Sequence, residues 1–99
     1  MATITRKFLG EGTIPGNGTI TFNWNNPYHG TVLGYFAYAK VSAQLPGQTL
    51  IGEVGIVSVR HQVTQTGDEP QVDRVEIDIK NFRSTPVGYA LYQSRITGE

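Results

Sequence analysis

The chain has 99 residues, eight basic and eight acidic side chains that cancel, and no cysteine. This length predicts one domain over residues 1–99, and the composition excludes disulfides and thiolate metal sites. Without a cluster of Lys and Arg we expect no nucleic-acid partner. Charged residues make up 16% of the chain, against roughly 25% in soluble domains, which favours neutral polar partners or copies of the chain itself.

Targeting signals are not evident. No apolar run follows the charges near the N-terminus, so we expect no signal peptide. No stretch approaches the roughly 18 apolar residues of a membrane helix, so we expect no membrane insertion. These observations predict a cytoplasmic location, with leaderless export, or a leader removed from the sequence, as the alternatives.

The first two predicted strands alternate apolar and polar residues with a period of two. The strand over residues 3–9 is weakly apolar, so we expect it at a sheet edge or exchanged with a neighbouring subunit. In the strand over residues 19–24, Ile20, Phe22 and Trp24 share one face. A stretch rich in turn-forming residues separates the two strands.

Residues 30–41 are apolar on both faces that a strand would present. This pattern is typical of a strand covered on both sides, so it predicts the central strand of the fold. One face would carry Val32, Phe36 and Tyr38, and the other Leu33, Tyr35, Ala37, Ala39 and Val41.

The second half of the chain predicts three further extended segments, over residues 49–66, 72–80 and 87–96. In the first, the parity of the apolar residues changes near Gly55, which indicates a β-bulge or a strand that bends from one sheet to the other. The predicted inward rows of the other two are Val75, Ile77 and Ile79, and Val87, Tyr89 and Leu91.

Six or seven short strands, no helix and turns rich in Gly and Pro predict an all-β fold. We expect an antiparallel β-sandwich, with a small β-barrel as the alternative. Residues 75–81 and 85–92 resemble the terminal hairpin of immunoglobulin- or fibronectin-like modules, which implies an architecture of that kind. No cysteine pair flanks the tryptophan, so an antibody-type domain is not expected.

Catalytic, metal and nucleotide motifs find little support. A Ser-His-Asp set could combine His61 and Asp73 with a serine, but no serine lies in a Gly-x-Ser-x-Gly elbow. His29 and His61 lack metal-ligand spacing, and no glycine-rich loop precedes a helix or a P-loop lysine. We therefore expect no catalysis, no metal and no cofactor.

The most suggestive stretch is residues 23–29, Asn-Trp-Asn-Asn-Pro-Tyr-His. Sugars are recognised by aromatic faces together with polar groups that donate and accept hydrogen bonds. This stretch predicts a lectin-like module that binds a neutral polar ligand such as a carbohydrate. In the alternative, the tryptophan closes the sandwich end and the asparagines form turns. The predicted ligand contacts are Trp24, Asn25, Asn26, Tyr28 and His29.

The five tyrosines indicate a further surface. Tyr92 would point away from Tyr89 and Leu91, and a sheet face that carries Tyr, Ala and Gly is more often covered by another subunit. We therefore expect a homo-oligomer with Tyr35, Ala37 and Tyr92 at its interface. This prediction supports the alternative function, a structural protein that assembles with itself or with a larger partner.

Overall fold

A computed structural model describes residues 1–42 and 44–98, and within them it contains six β-strands and no helix. The alternation of apolar and polar residues determines where these strands form, and clusters of Gly, Pro and Asn separate them. The strands are β1 (Thr3–Ile14), β2 (Thr19–Asn25), β3 (Thr31–Lys40), β4 (Val54–Thr64), β5 (Val72–Asn81) and β6 (Val87–Thr97).

The strands form two antiparallel sheets of three. Sheet 1 has the order β1-β6-β3, and sheet 2 has the order β2-β5-β4. A single core lies between them and takes apolar residues from both, so the predicted antiparallel sandwich is confirmed. The fully or nearly fully buried members are Ile14, Val87, Tyr89 and Leu91 from sheet 1, and Val75, Ile77 and Ile79 from sheet 2.

The central strands are β5 and β6, and this corrects two predictions. The segment 30–41 is not central, because β3 pairs with β6 and forms an edge of sheet 1. The segments that resemble a terminal hairpin do not pair with each other, because β5 and β6 lie in opposite sheets and the turn between them crosses the sandwich. Both predictions inferred strand pairing from the apolar character of the segments. Apolar character indicates burial, but it does not determine which strands pair.

Register shifts interrupt three of the four edge strands. They lie between Phe8 and Gly10 in β1, between Val32 and Gly34 in β3, and between Ile56 and Ser58 in β4. The shift in β4 confirms the bulge predicted near Gly55. The first strand lies at a sheet edge, as predicted. Such bulges increase the local twist and bend the strand.

At one end of the sandwich, sheet 1 leaves part of the inner face of sheet 2 uncovered. Val59 and Val63 lie on the face of β4 that points toward sheet 1, yet they remain about half exposed, at 51% and 47%. The loop between β2 and β3 lies at this end. A cleft lined by residues of both sheets lies at this end. Across residues 1–42 and 44–98, no helix is long and apolar enough to cross a membrane.

Candidate functional site

The cleft at this end of the sandwich has a volume of about 390 Å³. It combines an apolar and aromatic wall with imidazole, carboxylate and guanidinium groups. The β2–β3 loop, β3, β4 and β5 all contribute to it. Its lining residues are Pro27, Tyr28, His29, Tyr35, Val59, Arg60, His61, Asp73 and Val75.

The β2–β3 loop is anchored to both sheets. Asn26 adopts a left-handed conformation (φ 57°), which asparagine tolerates better than most residues, and its backbone N–H donates to the Asp73 carbonyl at 2.9 Å. The Tyr28 hydroxyl donates to the Ile96 carbonyl at 3.2 Å, and the Arg95 guanidinium lies 4.2 Å from the Tyr28 ring centroid. These contacts hold the aromatic side of the cleft in place.

Tyr35 enters the cleft from β3 and is held from behind by a buried amide. Gln93, which is 1% exposed, donates from Nε2 to the Tyr35 hydroxyl at 3.2 Å, and its Oε1 accepts from Arg95 Nε. Because the Tyr35 oxygen accepts this bond, its own proton is available for a second partner. The two linked hydrogen bonds, from Arg95 to Gln93 and from Gln93 to Tyr35, therefore position a hydroxyl donor at the cleft.

The charged groups at the cleft have partners within the chain. His61 Nε2 lies 3.7 Å from Asp73 Oδ1. Arg60 Nη2 lies 3.1 Å from Asp78 Oδ1 and 3.2 Å from Glu76 Oε2, on the outer face of sheet 2. The guanidinium charge of Arg60 is therefore compensated by carboxylates outside the cleft.

Only two of the five predicted ligand contacts line the cleft. Tyr28 and His29 line the cleft. Trp24 packs against the core, with its ring centroid 5.8 Å from that of Phe22 and 6.0 Å from that of Tyr35. Its position matches the alternative in which it closes the sandwich end.

The two asparagines of that stretch do not line the cleft. Asn25 pairs with Arg74 on the outer face of sheet 2. Asn26 shapes the loop through its backbone. Within this segment the cleft is therefore lined by Pro27, Tyr28 and His29, and its other polar groups come from the strands.

The other lining residues come from segments far apart in sequence. In the sequence, His61 and Asp73 stand out as possible members of a catalytic set, and Arg60 carries no signal of its own. They meet His29 only because β4 and β5 pair along the same end of sheet 2. The one local signal was the shared parity of Val59, His61 and Val63, which places His61 on the inner face.

The three predicted interface residues lie on two different faces of sheet 1. Tyr35 and Ala37 point inward and pack against the core. Tyr92 lies on the outer face, opposite Phe8 on β1 and Phe36 on β3. An interface on the outer face can therefore include Tyr92 but not the other two.

Among the residues that the structure describes, no group of three or more His, Asp or Glu side chains is arranged to hold a metal ion. No family model matches the chain, and comparisons with curated proteins and solved structures found no significant match.

Proposed function

We propose that the protein is a non-catalytic binding module whose cleft takes a neutral polar ligand, such as a sugar residue of a carbohydrate. One cleft of about 390 Å³ contains two tyrosines and a carboxylate, and a hydrogen bond positions the hydroxyl of one of these tyrosines. This observation carries the proposal. That volume lies within the roughly 300–1,000 Å³ typical of small-molecule sites.

The chemistry of the lining supports a hydroxylated ring. Aromatic side chains such as Tyr28 and Tyr35 pack against the apolar C–H surface of a sugar, while its hydroxyls both donate and accept hydrogen bonds. Asp73 can accept such a bond, and the Tyr35 proton can donate one. Because the charge of Arg60 is compensated by Glu76 and Asp78, the cleft favours a neutral ligand over an anion.

The lining also supports binding without catalysis. The structure brings His61 and Asp73 to 3.7 Å, the pair that a catalytic triad would need. However, the cleft lining contains no serine, threonine or cysteine to act as the nucleophile. We therefore assign this pair to hydrogen bonding with the ligand.

A glycan array followed by fluorescence titration tests the proposal. Trp24 is the single tryptophan and lies 6.0 Å from Tyr35, so its emission reports on the cleft. We expect Tyr28→Ala and Asp73→Ala to weaken binding roughly tenfold or more, since each removes a direct contact. Asn25→Ala is the matched control on the outer face of sheet 2, and it should leave affinity unchanged.

The titration is repeated at low and high salt, because a neutral ligand should bind with little dependence on ionic strength. Each variant is first shown to unfold at the same temperature as the parent chain. Absence of any glycan binding, or binding that survives both cleft variants, would count against the proposal. Strong weakening by salt would indicate a charged ligand and would contradict a neutral one.

A second candidate function is assembly with copies of itself or with a larger partner. A separate observation favours it: the outer face of sheet 1 carries the exposed aromatic residues Phe8, Phe36 and Tyr38 around a half-buried Tyr92. Aromatic residues are enriched and charges are depleted at the centres of protein interfaces. Light scattering after gel filtration tests this function, and Tyr92→Lys should abolish the assembly.

A further inference from the structure

The outer faces of the two sheets differ sharply in chemistry. Cross-strand pairing shows that the outer face of sheet 2 carries mainly polar and charged side chains, among them Thr21, Asn23, Arg60, Glu76, Asp78 and Lys80. The outer face of sheet 1 is aromatic at its centre. We call Phe8, Phe36, Tyr38 and Tyr92 the aromatic face.

The aromatic face is held in a defined arrangement around Tyr92. The Tyr92 ring lies 5.5 Å from Phe8 and 5.6 Å from Tyr38, measured between centroids, and the Arg6 guanidinium lies 4.4 Å from its centroid. Phe8, Phe36 and Tyr38 are nevertheless 46–48% exposed. A preformed aromatic cluster that remains open to solvent is typical of a surface that binds another protein.

The molecule as a whole exposes more surface than its mass requires. Its accessible surface is 6,580 Å², whereas a compact monomer of 10.9 kDa exposes about 5,600 Å². Its radius of gyration is 16.7 Å, against about 13 Å for a compact domain of this length.

The register of sheet 1 places complementary residues on either side of Tyr92. Across the three strands, one row contains Arg6, Ser94 and Gly34, the central row contains Phe8, Tyr92 and Phe36, and the next contains Glu11, Ala90 and Tyr38. Ser94, Tyr92 and Ala90 alternate along β6, so the two outer rows lie at equal distances of about 7 Å from the central one. The aromatic face is thus flanked by Arg6 on one side and, on the other, by Glu11 in its ion pair with Lys40.

We propose that a second copy of this chain covers the aromatic face through a twofold axis that runs across the strands at the Tyr92 row. This inference rests on the second function proposed above, self-assembly. The axis places each row flanking Tyr92 against the opposite row of the partner. Arg6 then faces the partner's Glu11, and Tyr38 faces the partner's Gly34, so that charge and size match twice by symmetry.

A different symmetry would lose these matches. An axis along the strands would place Arg6 against the partner's Gly34 and Glu11 against the partner's Tyr38. Arg6 would then be covered without a carboxylate from the partner, which is costly. Glu11 already forms an ion pair with Lys40, with 2.5 Å between Oε2 and Nζ. The partner's Arg6 would extend this pair into a network.

The test exploits the symmetry by exchanging charges. At tens of micromolar, light scattering or sedimentation should give twice the mass of 10.9 kDa for the parent chain. Arg6→Glu makes both positions acidic and Glu11→Arg makes both basic, so each variant alone should dimerise roughly tenfold or more weakly. An equal mixture of the two should restore the dimer, which a folding defect could not do. Asn23→Arg, on the outer face of sheet 2, is the control and should leave dimerisation unchanged.

The outcomes separate the two levels of the proposal. A monomeric parent chain would overturn self-assembly and this geometry together. A dimer that Tyr92→Lys disrupts, but that neither charge variant weakens, or whose mixture stays monomeric, would overturn the twofold arrangement and leave self-assembly standing.

Discussion

The buried amide of Gln93 donates a hydrogen bond to the Tyr35 hydroxyl, with 3.2 Å between Nε2 and the oxygen. The two residues lie on neighbouring strands of sheet 1, opposite each other in the β3–β6 register. The bond joins the interior, where Gln93 is 1% exposed, to a residue that lines the cleft. Stability and the geometry of the cleft are therefore coupled at this contact.

A double-mutant cycle should measure that coupling. Gln93→Leu and Tyr35→Phe each remove one partner of the bond, and each should lower the free energy of unfolding by about 1–2 kcal/mol. Either change alone breaks the bond, so the other change cannot break it again. The loss of unfolding free energy in the double variant should therefore be about 0.5–1.5 kcal/mol smaller than the sum of the two single losses. Urea unfolding provides the values, and strict additivity would show that the bond contributes nothing.

Asn81 should be the most sensitive polar residue of the fold. It is fully buried, its Nδ2 lies 2.8 Å from the Thr85 carbonyl, 3.2 Å from that of Pro15 and 3.3 Å from that of Ile14, and its Oδ1 accepts from the Arg83 N–H at 2.9 Å. These contacts tie the turn that crosses between the sheets to the end of β1. Asn81→Asp keeps the acceptor but removes the donor, so it should cost about 2–4 kcal/mol of unfolding free energy.

The matched control for Asn81→Asp is Asn23→Asp, the same change at an exposed position of β2. Surface substitutions of this kind usually change stability by less than about 0.5 kcal/mol. Both variants are compared with the parent chain by urea unfolding at neutral pH. Equal stabilities for the two variants would contradict the role assigned to the Asn81 amide.

Sequence periodicity predicted the core well because a strand that is buried on one face has apolar residues at alternate positions. Val75, Ile77 and Ile79 were placed inward from their alternation alone, and they are 6%, 0% and 0% exposed. The bulge in β4 was also visible, because a change of parity is a local property.

The order of the strands in each sheet has no such local pattern in the sequence. The segment 30–41 carries apolar residues on both faces, yet only its inner face, with Tyr35 and Ala37, is covered within the chain. Phe36 and Tyr38 belong to the aromatic face, so double-sided apolar character marked an exposed surface and not a central strand. The cleft was equally hidden, because His29, His61 and Asp73 meet only through the pairing of distant strands.

The core between the sheets should depend on Leu91. This side chain is fully buried in β6 and belongs to the cluster that includes Ile77 of the facing sheet. Leu91→Ala should lower the free energy of unfolding by about 2–5 kcal/mol, because it removes buried methyl groups and leaves a cavity. Leu45→Ala is the control, since Leu45 is 66% exposed and should tolerate the change. A similar loss for both variants would contradict the sandwich core.

Stability should fall at alkaline pH, partly through Tyr89. Burial raises the pKa of Tyr89 above its ordinary value of 10.0, so the folded protein holds the phenol proton more tightly than the unfolded chain. The contribution to stability is therefore complete below about pH 10 and is lost as the pH rises through the folded pKa. A hydrogen bond and charge attraction from Glu11 likewise raise the pKa of Lys40 above 10.5, which acts in the same direction.

Tyr89→Phe isolates the tyrosine part of this pH dependence. The variant has no phenol to ionise, so its unfolding free energy should decline less steeply above about pH 10 than that of the parent chain. Urea unfolding at a series of pH values from neutral to alkaline measures the two slopes. Lys40→Met, combined with Tyr89→Phe, should flatten the curve further, because Lys40 is exposed and contributes separately. Parallel curves for the parent chain and Tyr89→Phe would show that Tyr89 is protonated equally in the folded and unfolded states.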